Sequence, residues 1–582
     1  MQLTHATPSV RAVYPTPPAN LTDTQTTTAT TTPQPPANGL PGNIPASTLA
    51  GPSPDSVMLS LSPQAMATKW ANEVGGPALA QAIALGHLAR VEDTIACSPG
   101  LVNWRIDGYT PLHEAVKSED LDMAELLLTH PDIEIDSLSR KRVSPLLLAV
   151  KSSDLEMAQL LFHHKAAINE TDAQGRSPLH AACRAHDLDT VQWLLAQPEI
   201  RQQNGRTLDM PSVLNQTGLA GKSPLHSAFH KSEKATAVAK FLLQQPGIDV
   251  TAVDADGKTL LCHAAQRGLT DILMLLLAHP DMRGQAGSTL HGAAFPGAIA
   301  KGRLVVAQLL LAHGADVRRP NSFGDTPFRL ACASGKVEVV QWLLQQLLQS
   351  HADASPRVLS ALLNEASKNG VAPLHEAAYA GHVQVVRFLL GQTGIDPNPI
   401  SPMLGTPLHI AAAEGAYGVA TELLKHRDIA IDQTDAQGNT ALHVAVEQGE
   451  IGVVELLLDH GANINLRSVK GYTPLQVACE TGAVGIARDL VRRPGIRLLN
   501  GKPRDMHTVL NQATSSGETL LHLAARRGGV DVVRFLLSQE GIDPTREDAK
   551  GETPLETAKR HEHVDVVRLL LAHRPIGMPH TS

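Results

Sequence analysis

Gly221-Lys222-Ser223 ends like a loop that cradles phosphates, in which backbone N–H groups and a lysine grip a nucleotide. That motif also needs a glycine five residues before Gly221, and Gln216 stands there. The 27 histidines hold enough imidazole for several metal sites, were they gathered. The densest groups, His163-His164 and His561-Glu562-His563, lack the spacing of a paired metal ligand and read as solvated helix ends. Eight more, His113, His180, His226, His291, His375, His409, His443 and His522, are dealt out singly along the chain. No Cys-x-x-Cys, Gly-x-Ser-x-Gly or His-Glu-x-x-His arrangement occurs. The residue chemistry points away from an enzyme, and it implies no cofactor and no metal.

Three of the five cysteines, Cys183, Cys332 and Cys479, sit six residues after a Thr or Ser that starts a repeated motif, and they are four repeats apart. At roughly 8 to 10 Å per helix layer they lie roughly 30 to 40 Å from one another, too far for a disulfide or a shared metal. They read as small core residues of a protein kept in a reducing compartment.

What the single histidines share is a tetrapeptide. Thr110-Pro111-Leu112-His113 and Thr406-Pro407-Leu408-His409 are full copies, and Ser177-Pro178-Leu179-His180, Ser223-Pro224-Leu225-His226 and Ala372-Pro373-Leu374-His375 differ at one residue. Weaker copies start at Ser144, Thr259, Ser288, Thr326, Thr440, Thr473, Thr519 and Thr553, with a degenerate one at Pro77. This gives fourteen units spaced by about 33 residues. Each unit is expected to be a turn and two short antiparallel helices. A glycine two residues before the Thr, as at Gly221, suits a turn with positive φ, and the Thr or Ser is placed as an N-cap. Pro then fills the first helical turn, where its missing N–H is not needed. A glycine nine residues after the Thr, as at Gly449, ends the first helix in a left-handed cap, and the second helix carries an apolar stripe such as Val454, Leu457 and Leu458. Only a neighbouring unit can cover that apolar face, so the units must stack. A short insertion, Phe295 to Ile299, is expected to separate the two helices of one unit and to protrude.

This pattern resembles the ankyrin repeat family over roughly residues 77 to 573. The resemblance implies an all-α solenoid of helix-turn-helix units with short hairpin loops, whose inner helices line a concave face used mainly to bind other proteins. It also implies that the repeat histidine bonds to the neighbouring repeat, a role that Leu147, Cys262, Arg329, Gln476 and Glu556 interrupt in five copies. The organisation read from the chain is a disordered Thr/Pro-rich tail at 1–62, the array at 63–573 and a short tail at 574–582.

A second period lies above the first. Units starting at Ser177, Thr326 and Thr473 are each followed by 46 residues before the next start, placing insertions near 197–212, 345–359 and 492–508. Asn215, Asn364 and Asn511 all stand eight residues before the next Thr position. Two insertions share more, since Arg201, Asn204, Gly205, Asp209, Met210, Val213, Leu214, Asn215 and Gln216 recur as Arg497, Asn500, Gly501, Asp505, Met506, Val509, Leu510, Asn511 and Gln512. A block of four repeats has been duplicated, and the insertions are expected to stand out as loops.

A net charge of −8 gives no general case for nucleic acid. No stretch approaches the roughly 18 apolar residues of a membrane span, and the first thirty residues lack an apolar h-region. The chain is read as cytoplasmic and monomeric, and Asn20, Asn169 and Asn215 as accidental matches to a glycosylation sequence. The uncharged Thr/Pro tail reads either as a linker or as a non-Sec secretion signal of the kind seen in bacterial type III effectors, which would deliver the protein into a host cell to perturb its signalling.

In the family the resemblance points to, partners touch the residue before the Thr and the last turn of the first helix. Helix ends here supply Lys117, Lys151, Arg184, Lys231 and Arg267, then Glu414, Glu447 and Glu480, then Arg526, Arg527 and Arg560. Hairpin tips supply Arg176, Lys222 and Lys258, then Asp325, Glu518 and Glu552, while Tyr109, Tyr379 and Tyr472 add aromatic anchors. The expectation is a non-catalytic scaffold whose basic early stripe steers an elongated protein or peptide with an acidic segment.

Overall fold

Most repeats open with a helix end at which a side chain of the same repeat satisfies orphan N–H groups. The computed structural model of the chain describes residues 75–203, 206–282, 289–351, 355–499 and 502–573. At Thr110 the backbone is extended, the Thr110 N–H donates to His113 Nδ1 at 3.2 Å, and the His113 N–H donates back to Thr110 Oγ1 at 3.5 Å. The helix Pro111–Lys117 runs two turns and stops as Glu119 takes φ 56°. Asp120 then caps Leu121–Leu128 by accepting from the Met123 N–H at 2.9 Å. Glycine does the stopping where it is present: Gly449 has φ 79° at the end of Ala441–Gln448, as the spacing predicts.

The described residues form two compact units. One holds the residues up to Ala264 together with Leu269–Met282, and the other holds Ala265–Gly268 with everything from Thr289 onward. Within each, helix pairs follow one another in chain order, and fourteen pairs can be traced from Gly76–Ala84 with Leu88–Cys97 to Pro554–Arg560 with Val564–Ala572. The fold class is all-α and of the repeat type, with strand limited among the described residues to two tiny hairpins. The core is a series of thin layers: Leu112, Ala115 and Val116 of one helix meet Met123, Ala124 and Leu127 of its partner, all fully buried. Small residues at Ala181-Ala182 and Ala411-Ala412 are buried too, where they leave room for the next layer. Cys183, Cys332 and Cys479 are buried free thiols, and burial raises their pKa. No helix among the described residues is long and apolar enough to cross a membrane.

Two ladders of hydrogen bonds join successive repeats. On the hairpin side, the repeat histidine takes the Thr N–H at Nδ1, which leaves Nε2 protonated and donating to the carbonyl just before the next Thr. His113 reaches Val143 O at 2.9 Å, His180 reaches Lys222 O at 3.0 Å, and His375, His409, His443 and His522 reach Gly405, Asn439, Tyr472 and Glu552 at 2.9 to 3.0 Å. Gln476 also accepts from the Thr473 N–H at 2.9 Å, but it donates at 3.1 Å to Gln512 O at the end of the insertion and not to the carbonyl just before Thr519. Arg329 instead forms a buried ion pair with Glu376 and a second contact with Asp325 at 3.2 Å. The copy starting at Ser288, with His291, lies outside the described side chains.

The second ladder explains the fixed register of the three asparagines. Asn215 donates to Gly247 O and accepts from the Asp249 N–H, both at 2.8 Å. Asn364 grips Gly394 O and the Asp396 N–H at 2.8 and 2.9 Å, and Asn511 grips Gly541 O and the Asp543 N–H at 2.7 and 2.8 Å. Each insertion therefore ends in a side chain that docks onto the following repeat.

The inserted segments differ in form. In two of them, antiparallel strands Gln202–Gln203 with Arg206–Thr207, and Leu498–Leu499 with Lys502–Pro503, lead into short helices Met210–Leu214 and Met506–Leu510. The middle one is helical: Val337–Gln349 is drawn out to 13 residues and Pro356–Leu363 follows. Phe295 to Ile299 neither separate two helices nor protrude. They lie inside the helix Thr289–Ala300, with Phe295, Ala298 and Ile299 buried, because their i, i+3, i+4 spacing makes one apolar helical face.

Candidate functional site

The helix-end and hairpin-tip registers are brought to the surface by the same caps that start and stop the first helices. In the first unit four of the basic residues, Lys117, Lys151, Arg176 and Lys258, are already answered. Lys117 ends its helix with Nζ 2.8 Å from Glu114 Oε1 and 3.3 Å from the ring centroid of Tyr109, which itself meets His113 edge-on. Lys151 and the tip residue Arg176 converge on one carboxylate: Asp172 Oδ2 lies 3.0 Å from Lys151 Nζ and 2.7 Å from Arg176 Nη2, and Asp172 is almost wholly enclosed. Its Oδ1 accepts from the N–H groups of Gln174 and Arg176, both at 3.0 Å. Burial alone would raise this carboxyl's pKa, yet the Arg176 side chain and N–H, with Lys151, drive it well below the usual carboxylate range. Lys258 is 3.9 Å from Asp256.

Arg184 and Lys222 are exposed and have no ion pair among the described residues, and the same holds for Lys231. Lys231 is not at a helix end. The first helix of its unit stops at Ser227, and Lys231 falls in the bend before Glu233–Leu243. Arg267 is the last residue of Leu260–Arg267 and is exposed. The even stripe expected from the register is thus a shorter free patch of Arg184, Lys222 and Lys231 beside cations matched from within.

In the second unit the registers come together. Arg526, in the last turn of Leu520–Arg527, reaches back to Glu480 Oε1 at 2.7 Å, to the tip residue Glu518 at 2.9 Å and to Tyr472 Oη at 3.3 Å. Next to this knot lies a cleft of about 470 Å³ lined by Glu447, Tyr472, Glu480 and Arg527, with Lys470, Asn439 and Gln437 on its wall. Burial raises the pKa of the Glu447 carboxyl, with Glu480 and Asp435 adding to the effect and Lys470 opposing it. Burial likewise raises that of the Tyr472 phenol. Glu414 is exposed just after Pro407–Ala413, and Tyr379 is half-buried at the end of Pro373–Tyr379. Chemically the cleft offers an aromatic wall, donors and acceptors of both charges, and no assembled nucleophile and base. Among the described residues no group of three or more His, Cys, Asp or Glu is placed to hold a metal.

Sequence reasoning missed Asp172 as the partner of two predicted contact residues. A signal for it exists: Asp172, Asp254, Asp435 and Asp548, with Asn321 and several Ser or Thr, all stand five residues before the Thr position. These residues fold the hairpin by accepting its N–H groups, as Asp435 does from Gln437 and Asn439.

Family models of ankyrin repeats match residues 107–138 (single repeat), 146–195 (many copies) and 290–401, 346–435, 408–500 and 494–578 (three copies). The chain is similar to the transient receptor potential cation channel subfamily A member 1 homolog of Caenorhabditis elegans, at 30% identity over 156 residues, which is 26% of this chain and 11% of that protein. It is similar to the B-cell lymphoma 3 protein homolog of Mus musculus at 28% identity over 251 residues, 40% of this chain and 50% of the other. The crystal structure of the ankyrin repeat domain of Bcl-3 aligns with 42% of this chain and 99% of its own, at 26% identity and a TM-score of 0.34. The matches span half or less of the length of these curated relatives.

Proposed function

Because the chain belongs to the ankyrin repeat proteins, we propose that it is a non-catalytic scaffold holding a protein or peptide partner along its helix ends and hairpin tips. The observation that carries this reading is the cleft in which Glu447, Tyr472, Glu480 and Arg527, residues of two different contact registers, share one wall. A pocket with an aromatic side and fixed charges of both signs favours a polypeptide segment with mixed side chains. On the first unit, Arg184, Lys222 and Lys231 add an unneutralised patch that favours an acidic portion of the partner.

The test is affinity capture with the full chain, followed by titration of one identified partner against variants. Glu447→Lys with Arg527→Glu is expected to weaken binding by about tenfold or more. Arg184→Glu with Lys222→Glu and Lys231→Glu weakens it mainly at low salt, whereas Lys151→Ala, whose charge Asp172 already answers, changes it little. Unchanged affinity in the cleft variant ends the proposal.

A further inference from the structure

The two duplicated segments pair their described strands alike and differ in charge. Residues 196–208 and 492–504 align without a gap in sequence, each holds a pair of two-residue antiparallel strands, and each closes with one short bond, Leu208 N to Arg201 O and Arg504 N to Arg497 O, both at 2.6 Å. The first carries Arg201 and Arg206 against Glu199, a net charge of +1. The second carries Arg492, Arg493, Arg497, Lys502 and Arg504 with no Asp or Glu, a net charge of +5. Where the second has Arg492, Arg493 and Arg504, the first has Ala196, Gln197 and Leu208, so the fold itself does not require the extra cations.

Their surroundings leave most of that charge unanswered. Arg493 pairs with Asp459 at 2.6 Å, but Arg492, Arg497 and Lys502 are exposed. Among the described residues Arg504 is held only by neutral acceptors, Asn465 Oδ1 at 2.8 Å, Ile496 O at 3.1 Å and Gln512 Oε1 at 3.2 Å, and its buried Nε has no partner there. Arg467 is likewise held by the carbonyls of Gly471 and Ala513. Burial first, and the like charge of Arg467 second, lower the pKa of Arg504. Like charges fixed side by side on uncharged supports are a standing cost that a carboxylate ligand would relieve.

We infer that Arg492, Arg493, Arg497, Lys502 and Arg504, with Arg467 beside them, form a second docking surface, separate from the helix-end cleft, for an acidic polypeptide segment. The occupant is a run of carboxylates and not a nucleic acid. Residues 492–513 contain no Phe, Tyr or Trp on which a base could stack, and the chain as a whole is anionic.

The experiment uses the full chain and a fluorescent decaglutamate, with decaglutamine, deca-thymidylate and phosphatidylserine vesicles as controls, at roughly 50 mM salt. A loss variant carries the twin's residues, Arg492→Ala, Arg493→Gln and Arg504→Leu. A gain variant carries the reverse, Ala196→Arg, Gln197→Arg and Leu208→Arg. Each is also made in an Arg184→Glu, Lys222→Glu, Lys231→Glu background, so that failure here is distinguishable from failure of the scaffold reading. Decaglutamate binding is expected to fall about tenfold in the loss variant and to rise by a second equivalent in the gain variant, in both backgrounds. Unchanged affinity in a folded loss variant overturns the proposal, as does tighter binding of deca-thymidylate or of the vesicles. If the loss variant does not fold, a gain variant with no second equivalent overturns it.

Discussion

The two compact units are built from the same repeat, yet they are stitched differently. In the second unit His375, His409, His443 and His522 each reach the hairpin tip of the next repeat, and Gln476 reaches Gln512 just upstream of one. In the first the hairpin-side ladder alternates: His113 and His180 make their bonds, Leu147 has no polar group to offer, and His226 Nε2 is buried without a partner, its ring edge-on to His263 at 5.5 Å. Asparagine rungs occur in both, from Asn103 with the Glu134 N–H to Asn511 with the Asp543 N–H. Repeats therefore form and bury their apolar faces even where the histidine rung is missing, as at Leu147 and His226.

The largest break in this comparison is expected at Arg329, where among the described residues of the second unit an ion pair replaces a rung. Glu376→Ala leaves the buried Arg329 guanidinium with Asp325 as its remaining ion-pair partner and is expected to cost about 3 kcal/mol by urea denaturation. Replacing both Arg329 and Glu376 by Leu, the residue that Leu147 supplies at the Arg329 position in the first unit, is expected to recover most of that loss.

Acid comes next. Burial lowers the pKa of His375 to about 4, below the ordinary 6.5, and a proton on Nδ1 would also oppose the Ala372 N–H it accepts. The folded state therefore binds this proton less readily than the unfolded state. The stability it contributes is complete above pH 6.5 and is lost as pH falls toward 4. At pH 5 the loss from this one group is about 2 kcal/mol relative to pH 7. His375→Gln, which copies the side chain that Gln476 uses in the same position, is expected to flatten that part of the pH profile, and an unaltered profile would refute the assignment.

The smallest effect isolates a single rung. His409→Ala and His226→Ala both remove a cap, but only the first removes a bond to the next repeat, so it should cost about 1 to 2 kcal/mol more. Equal costs would mean the ladder is ornamental.

Most of the architecture is legible in the residues because the repeat advertises its own boundaries: an N-cap Thr, a proline and a left-handed glycine are local signals that act over a few residues. The expectations fail in the units where those signals are weakest. Phe295 to Ile299 have a helical spacing that their extra length disguises as a protruding insertion, and the helix before Lys231 ends four residues earlier than its glycine-stopped counterparts imply. The contact registers can be placed from the residues, but which charges remain free cannot. Asp172 answers Lys151 from 21 residues away and Arg526 answers Glu480 from 46, and such pairings exist only once repeats are stacked. For the same reason the register of Asn215, Asn364 and Asn511 is visible in the chain while its cause is not.

That asparagine has a consequence for how such a chain changes over time. By anchoring the end of each added segment to the repeat behind it, it works as a socket: whatever lies upstream can be lengthened, recharged or exchanged while the downstream layers keep their seat. The twin segments, alike in strand pairing and unlike in charge, are what such a socket permits, and the position eight residues before the repeat start is where a foreign loop would be grafted with the least disturbance.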